Sequence, residues 1–390
     1  MYTRICKMDL PHKKSAFLWG PRQTGKSYFL KHRFKNAVYY DLLLTHEVIR
    51  LSKSPYLLRE EILAFNKEQL SKPIIIDEIQ KVPELLNEVH WLIENKNVQF
   101  ILCGSSARKL KTNSTNLLGG RAFVFHFYPL VFPEIPDFDL LRALQHGLIP
   151  NHYLADPAYL QGYFQAYIDV YLTDEIRNEG LVRNLAGFAR FLDIAGLCNG
   201  EMINANNIAR DCGVGRVTVQ GYYQILVDTL LGNYIYPYSK KVKRDLISAT
   251  PKFYLFDVGV ANYLAHQTVS ALNGSAAGKS FEHFILMELW GYIGLMSKRV
   301  DITYWRTKTG LEVDFIIGDA LVAIEVKISD QVHQQDLKGL IAFCEEHPQA
   351  KPIVVSQDNR PRVLNVNEKL SISILPWKMF LQKLWEGGIC

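Results

Sequence analysis

Through the first third of the chain, short apolar runs alternate with stretches of helical period. Residues 15–19, 37–41, 73–78, 98–103 and 122–127 each read as a strand, and the β-branched run Ile74-Ile75-Ile76 suits a central parallel position. Tyr28-Phe29-Leu30 begins a helix, and residues 57–70 carry helical spacing with many charges. Repeated strand–helix alternation predicts an α/β layer whose ligands gather at the carboxyl ends of the strands. Pro129, Pro133 and Pro136 then break the pattern and mark an exit between residues 130 and 160.

Helical spacing dominates the middle of the chain. Tyr159, Tyr163, Tyr167 and Tyr171 recur every four residues, an aromatic stripe that reads as core, and Phe188, Phe191, Leu192 and Ala195 continue it. Residues 206–214 and 216–226 read as two helices around a turn, with Ile208, Ala209, Val214, Val219 and Leu226 spaced as in a helix-turn-helix. Strands at 234–236 and 252–256 would flank a basic loop bearing Lys240, Lys241, Lys243 and Arg244, which completes a winged-helix outline. Two readings stay open there. In one, Arg216, Thr218 and Gln220 enter a DNA groove while the basic loop rests on phosphates. In the other, the same compact fold is a lid or spacer.

The last third opens with a small-residue stretch at 274–278, read as a linker or mobile loop, and a helix at 281–289. Residues 311–317 and 320–327 form a hairpin about Gly318-Asp319, a pair suited to a two-residue turn. That register sets Val313, Phe315 and Ile317 on a core face against Ile324, Val322 and Ala320. It sets Asp314 opposite Ala323 and Glu312 opposite Glu325 on the other face, with Lys327 two places on. Opposed carboxylates destabilise a hairpin unless a cation stands between them, so a divalent metal or Lys327 is called for. Trp377, Phe380, Leu381, Leu384 and Trp385 have the spacing of a packed terminal helix. The chain therefore divides into residues 1–150, 151–270 and 271–390.

The sharpest chemical signal follows the first strand. Gly20-Pro21-Arg22-Gln23-Thr24-Gly25-Lys26-Ser27 fits the phosphate-loop pattern G-x-x-x-x-G-K-[ST] between a strand and a helix. Its glycines let the backbone approach a polyphosphate, and its amides form an anion nest at a helix N-terminus. Lys26 would reach the outer phosphates and the Ser27 hydroxyl would ligate Mg²⁺. At the end of the third strand Asp77 would hold Mg²⁺ through water and Glu78 would polarise the attacking water. Ser105 or Ser106, after the fourth strand, stands where a γ-phosphate is read. Arg121 on the turn Leu118-Gly119-Gly120-Arg121 is either an arginine finger, which in trans would require a dimer or ring, or a partner in a structural ion pair. Asn66-Lys67-Glu68-Gln69 lacks the aspartate of a guanine-reading motif, so ATP is the expected nucleotide.

Composition changes this picture little. A net charge of +5 over 390 residues permits nucleic-acid contact without demanding it. The six cysteines are scattered and contain no C-x-x-C pair, so neither a zinc knuckle nor a disulfide framework is indicated, and a reduced, cytoplasmic setting fits best. The apolar stretch near 122–132, interrupted by His126 and Pro129, is too short to span a bilayer, and the N-terminus lacks a signal-peptide core.

Taken together, residues 20–27, Ile-Asp-Glu-Ile-Gln-Lys-Val-Pro (76–83), Cys-Gly-Ser-Ser (103–106) and Leu-Gly-Gly-Arg (118–121) resemble prokaryotic ATPases of the AAA type that carry a C-terminal domain of unknown function. Lys-Phe-Tyr-Leu-Phe-Asp-Val-Gly (252–259), Tyr-Trp-Arg-Thr (304–307) and Glu-Val-Asp-Phe (312–315) extend the likeness over nearly the whole chain. In the tail, an Asp followed by Glu-x-Lys on the next strand is similar to the core of the PD-(D/E)XK nuclease fold, although Glu-Val-Asp replaces its Pro-Asp start. That resemblance implies Mg²⁺ bound by Asp314 and Glu325, with Glu282 completing the set and Lys327 positioning water or steadying the phosphorane. The expected protein is an ATPase coupled to a nucleic-acid-directed, nuclease-like module. The alternatives are an ATP-dependent switch with a non-catalytic platform, and a DNA-binding regulator.

Overall fold

The computed structural model describes residues 2–11, 13–106, 118–172, 182, 184–240, 243–247 and 249–390. Two compact units emerge, one of residues 1–130 with 228–231 and the other of residues 131–227 with 232–390. The Tyr171 side chain and Lys241 lie outside the described residues.

The first unit is built on five parallel strands in the order β2-β3-β4-β1-β5. They are β1 (Ser15–Trp19), β2 (Tyr39–Asp41), β3 (Ile74–Asp77), β4 (Phe100–Gly104) and β5 (Ala122–His126). Every residue of β1, β3 and β4 is buried, as uniformly apolar runs in a covered parallel sheet require. The edge strand β5 has one neighbour only, and Phe123 and Val124 are exposed there. Register brings the strand ends level: Asp77 pairs with Asp41 and Cys103, and Trp19 with Gly104. The helix expected over 57–70 stops at Leu63, because Asn66 and Gln69 exchange side-chain-to-backbone hydrogen bonds that compete with a continuing helix.

In the second unit an eight-stranded sheet runs in the order β12-β13-β11-β10-β9-β8-β6-β7. Its members are β6 (Gly232–Pro237), β7 (Lys252–Leu255), β8 (Ile302–Arg306), β9 (Glu312–Ile317), β10 (Val322–Val326), β11 (Lys351–Ser356), β12 (Arg362–Asn367) and β13 (Leu370–Pro376). The two strands expected as a wing, β6 and β7, are the far end of this sheet, where β6 pairs in parallel with β8. The sheet thus spans residue 270, where the sequence suggested a boundary. Residues 274–278, read as a linker or mobile loop, are helical. Those residues open the 22-residue helix Gly274–Leu295, whose apolar body extends through them at the small cost of propagation. The tyrosine stripe also fails as a core face: Tyr167 is buried, but Tyr159 and Tyr163 are exposed. The chain passes from a 3₁₀ turn to an α-helix to a π-helical segment there, so a spacing of four holds no single face.

One buried acid ties three parts of this unit together. Glu288, on the helix Gly274–Leu295, accepts hydrogen bonds from the backbone of Phe132 (2.9 Å) and the indole of Trp385 (2.8 Å). Burial pushes its pKa from an ordinary 4.5 up to about 8, against those two hydrogen bonds. The folded chain therefore keeps a proton on Glu288 that the unfolded chain gives up as pH rises past 4.5. Its contribution to stability is full below that pH and is lost as pH approaches 8. Glu288→Gln is expected to flatten the fall of the chemical-denaturation midpoint between pH 5 and 8, titrated beside the native chain; an unaltered slope would show that Glu288 is not the group responsible.

Candidate functional site

The phosphate loop is shaped by packing on both sides. A Cβ at Gly20 would lie 2.3 Å from the Phe127 carbonyl oxygen, so only glycine fits. Gly25 stands at φ 95°, a conformation glycine adopts without strain, and caps the helix Lys26–Arg33. Thr24 Oγ1 donates to the Pro21 carbonyl at 2.8 Å and pins the turn. Lys26 is 5% exposed, and its ammonium donates to the carbonyls of Gly20 and Pro21, each at 2.8 Å. Pro21, Arg22 and Gln23 complete the curve, with Gln23 at φ 58°.

Beside the loop, at the end of β3, Asp77 Oδ2 accepts from the Ser27 hydroxyl at 2.6 Å and from the phenol of Tyr39. Burial, then the charge of Asp77, raises the Tyr39 phenol and keeps it a neutral donor. Glu78 follows in the left-handed region, φ 59° and ψ 42°, a strained place for a residue with a side chain. It is buried, and Gln80 donates to its carboxylate. Ser105 Oγ lies 3.3 Å from the same carboxylate and accepts from Gln80 at 3.1 Å. Burial raises the Glu78 pKa, and the charges of Lys26 and Arg22 offset part of the rise. The structure thus brings together Lys26, Ser27, Asp77, Glu78 and Ser105. A hydroxyl and a carboxylate in contact at the start of a helix, beside a buried lysine, are a donor set that fits a magnesium nucleotide. Arg121 is not brought in: it pairs with Glu94 on the helix Leu85–Lys96 and reaches the Gly119 carbonyl at 3.4 Å.

In the second unit the tail acids do converge, though not by the expected register. Ile317, Ile316 and Phe315 pair with Val322, Ala323 and Ile324, so four residues, not two, form the turn. Continued, that register sets Asp314 opposite Glu325. The pairing of β9 with β8 also slips, Ile316 facing Thr303 but Val313 facing Trp305. This bulge puts Val313 and Ile316 into one core cluster, which strict alternation would forbid. Asp314 and Glu325 are buried; Asp314 accepts from the Val326 backbone at 2.7 Å, and Lys327 donates to Glu325 at 2.6 Å. Burial, followed by Glu325 and Glu282, pushes Asp314 well above the usual carboxylate range; Glu325 is also raised, chiefly by burial, with Lys327 opposing. Glu282 and Glu312 have cations and a phenol of their own. Tyr254 donates to Glu282 at 2.5 Å, Lys252 stands 2.6 Å from Glu312 and 3.6 Å from Glu282, and Arg306 pairs with Glu312 at 2.5 Å. Among the described residues no group of three or more His, Cys, Asp or Glu side chains is disposed to hold a metal ion.

The helix pair Ala205–Cys212 and Arg216–Asp228 forms as expected, with the Asn204 side chain capping the first. Arg216, Thr218 and Gln220 are exposed, and Arg216 and Gln220 line an open cleft of about 630 Å³ with Asn204, Tyr223 and Thr250. The basic loop is less free than its composition implies. Lys240 pairs with Asp319, and Arg244 pairs with Glu345 and Glu346 at 2.7 Å each.

Comparison with known families assigns the first unit. Residues 12–136 match the family model described as AAA domain. The N-terminal part of this chain is an AAA-type P-loop ATPase domain. It is followed by two domains of unknown function, DUF8612 over residues 137–271 and DUF4143 over 277–379. Uncharacterised proteins of Mycobacterium tuberculosis and Mycobacterium bovis are each 24% identical over 310 residues, 77% of this chain and 67% of theirs. Among solved structures, the ORC1 protein of Aeropyrum pernix in complex with DNA is 13% identical, with 66% of this chain and 87% of that one covered at a TM-score of 0.27. The ORC2 protein of the same organism gives 13%, 65%, 88% and 0.27. Overlaps of that size say nothing of function.

In the ATPase domain, sequence reasoning missed Tyr39, Gln80 and Arg4. Tyr39 at a strand end and Gln80 within Ile-Asp-Glu-Ile-Gln-Lys carried a signal only through their distance from Asp77 and Glu78. Arg4 carried none, because it precedes every recognisable motif. Among the described residues no helix is long and apolar enough to cross a membrane.

Proposed function

We propose that the chain binds ATP with Mg²⁺ and hydrolyses it at the ATPase domain. The observation that carries this reading is the Ser27–Asp77 contact of 2.6 Å, set between the buried Lys26 and Glu78. Lys26 and the amides of residues 22–27 hold the phosphates, Ser27 and Asp77 hold the metal, and Ser105 orients Glu78. Glu78, raised by burial, takes the proton of the attacking water. Bound magnesium supplies charge neutralisation across the phosphate oxygens. Six free cysteines support a reducing, cytoplasmic setting for this chemistry.

A second reading concerns the tail, and one observation favours it. Asp314 and Glu325 are buried neighbours, and Glu325 Oε2 has no hydrogen-bond partner among the described residues. Such a pair attracts a cation. On this reading Asp314, Glu325 and Glu282 hold Mg²⁺, and Lys327 acts on the water or phosphorane of a nucleic acid. Duplex DNA would be met by Arg216, Thr218 and Gln220. Glu282 would first have to leave Tyr254 and Lys252.

Lys26→Ala is expected to abolish nucleotide binding, and Glu78→Gln to bind ATP yet turn over at least about 10²-fold more slowly, by phosphate release. Full turnover in both variants would remove the ATPase reading. Arg121→Ala should leave turnover within about twofold, as loss of an exposed ion pair does; a fall of about 10³-fold would make it an arginine finger. Plasmid nicking with Mg²⁺ or Mn²⁺ that disappears in Asp314→Ala would establish the nuclease reading, whereas an intact plasmid in every nucleotide state leaves the tail as a platform gated by ATP.

A further inference from the structure

Arg4 lies eight residues before the segment that matches the AAA domain, yet its guanidinium is fastened into the phosphate loop. Nη1 donates to the Thr24 carbonyl at 2.5 Å. Nη2 donates to the carbonyls of Tyr128 at 2.7 Å and Pro129 at 3.1 Å. The plane lies over the Phe127 ring, 4.2 Å from its centroid. One side chain thus bridges the loop that would hold phosphate and the segment that follows β5. That segment already presses on the loop, since the Phe127 carbonyl excludes a side chain at Gly20 and the Phe127 amide donates to the Trp19 carbonyl at 2.6 Å. At Val131 the chain passes into the second unit.

We infer that Arg4 is a positioning residue that holds the phosphate loop in its binding shape and links the state of that loop to residues 127–130, the covalent exit toward the second unit. The chemistry suits the task. Guanidinium is a planar fork of five donors that is always charged, so it can hold carbonyls on two segments at once and stack on an aromatic face. Thr24 is itself tied to Pro21, so a shift of the Thr24 carbonyl moves the turn that carries the Lys26 acceptors. Phosphate entering the loop would draw on the same backbone, and Arg4 carries the change to Tyr128 and Pro129. This inference rests on the nucleotide reading of the loop.

The test uses the full chain, a fluorescent ATP analogue for affinity, and hydrogen exchange with and without ATPγS. In the native chain, ATPγS should slow exchange both at residues 20–27 and at residues 127–130. Arg4→Ala should bind the analogue about tenfold more weakly and, at saturating ATPγS, protect residues 20–27 alone. Arg4→Lys should not restore the second effect, because a single ammonium cannot reproduce the fork; if Arg4→Ala melts early, the judgement passes to Arg4→Lys. Native-like affinity in these folded variants, or retained protection at 127–130, would overturn the inference while leaving the nucleotide reading intact. A native chain that binds no ATP analogue would overturn both.

Discussion

A lysine ammonium that is almost wholly buried must have its donors met, and Lys26 sets that condition for the whole N-terminal unit. Its partners are main-chain carbonyls, so the loop has to curl back on the first turn of its own helix. Curling takes Gln23 and Gly25 into positive φ and brings Gly20 against the Phe127 carbonyl. The strands then have fixed duties. β1 delivers the loop, β3 delivers Asp77 and Glu78, β4 delivers Ser105, and the level register of their ends makes these side chains neighbours. Strain at Glu78 is tolerated because the strand before it is fully buried and the Gln80–Ser105 pair grips its carboxylate.

The second unit meets the same condition from the acidic side. Tyr254, Lys252 and Arg306 satisfy Glu282 and Glu312, while Lys327 serves Glu325. Burial would push the Lys252 ammonium down, yet Tyr254, Glu282 and Glu312 outweigh it and hold its pKa well above the usual value. Asp314 accepts from one backbone amide, and burial with Glu325 and Glu282 raises its proton affinity against the opposing charges of Lys252 and Lys327. Removing a single partner from such a network leaves a buried charge exposed to its full desolvation cost.

What could be read from the chain in advance follows from how local the signal is. The strands of the ATPase domain and the loop's residue types were legible, because buried parallel strands and a glycine-framed lysine are marked within a few residues. Ser105 could not be told from Ser106, since the contact of Ser105 with Gln80 depends on the 3₁₀ turn Ile79–Lys81 after β3. The tail hairpin was legible as two strands with acids and a lysine, but not in register. A four-residue turn and a register shift between β8 and β9 are set by the fit of β9 between β8 and β10, and alternation alone cannot reveal them. The stripe of tyrosines misled because period four means a face only within one kind of helix.

The middle of the chain is bound to the tail by the same sheet. Two strands there carried the outline of a wing, and a wing would be judged by its basic loop. In the fold those strands extend the tail's own sheet, and the loop's Lys240 and Arg244 answer acids of the tail. Lys252 and Tyr254 on β7 neutralise or bind Glu282 and Glu312, which lie on the helix Gly274–Leu295 and on β9. Without β7, Glu282 would lose Tyr254 and Lys252, Glu312 would lose Lys252 while keeping Arg306, and the uncompensated charge of Glu282 would bear on Asp314. Whatever chemistry or contact the carboxylate–lysine cluster serves therefore belongs to the sheet as a whole, from residue 232 onward, and a tail cut near residue 270 would have a different electrostatic character.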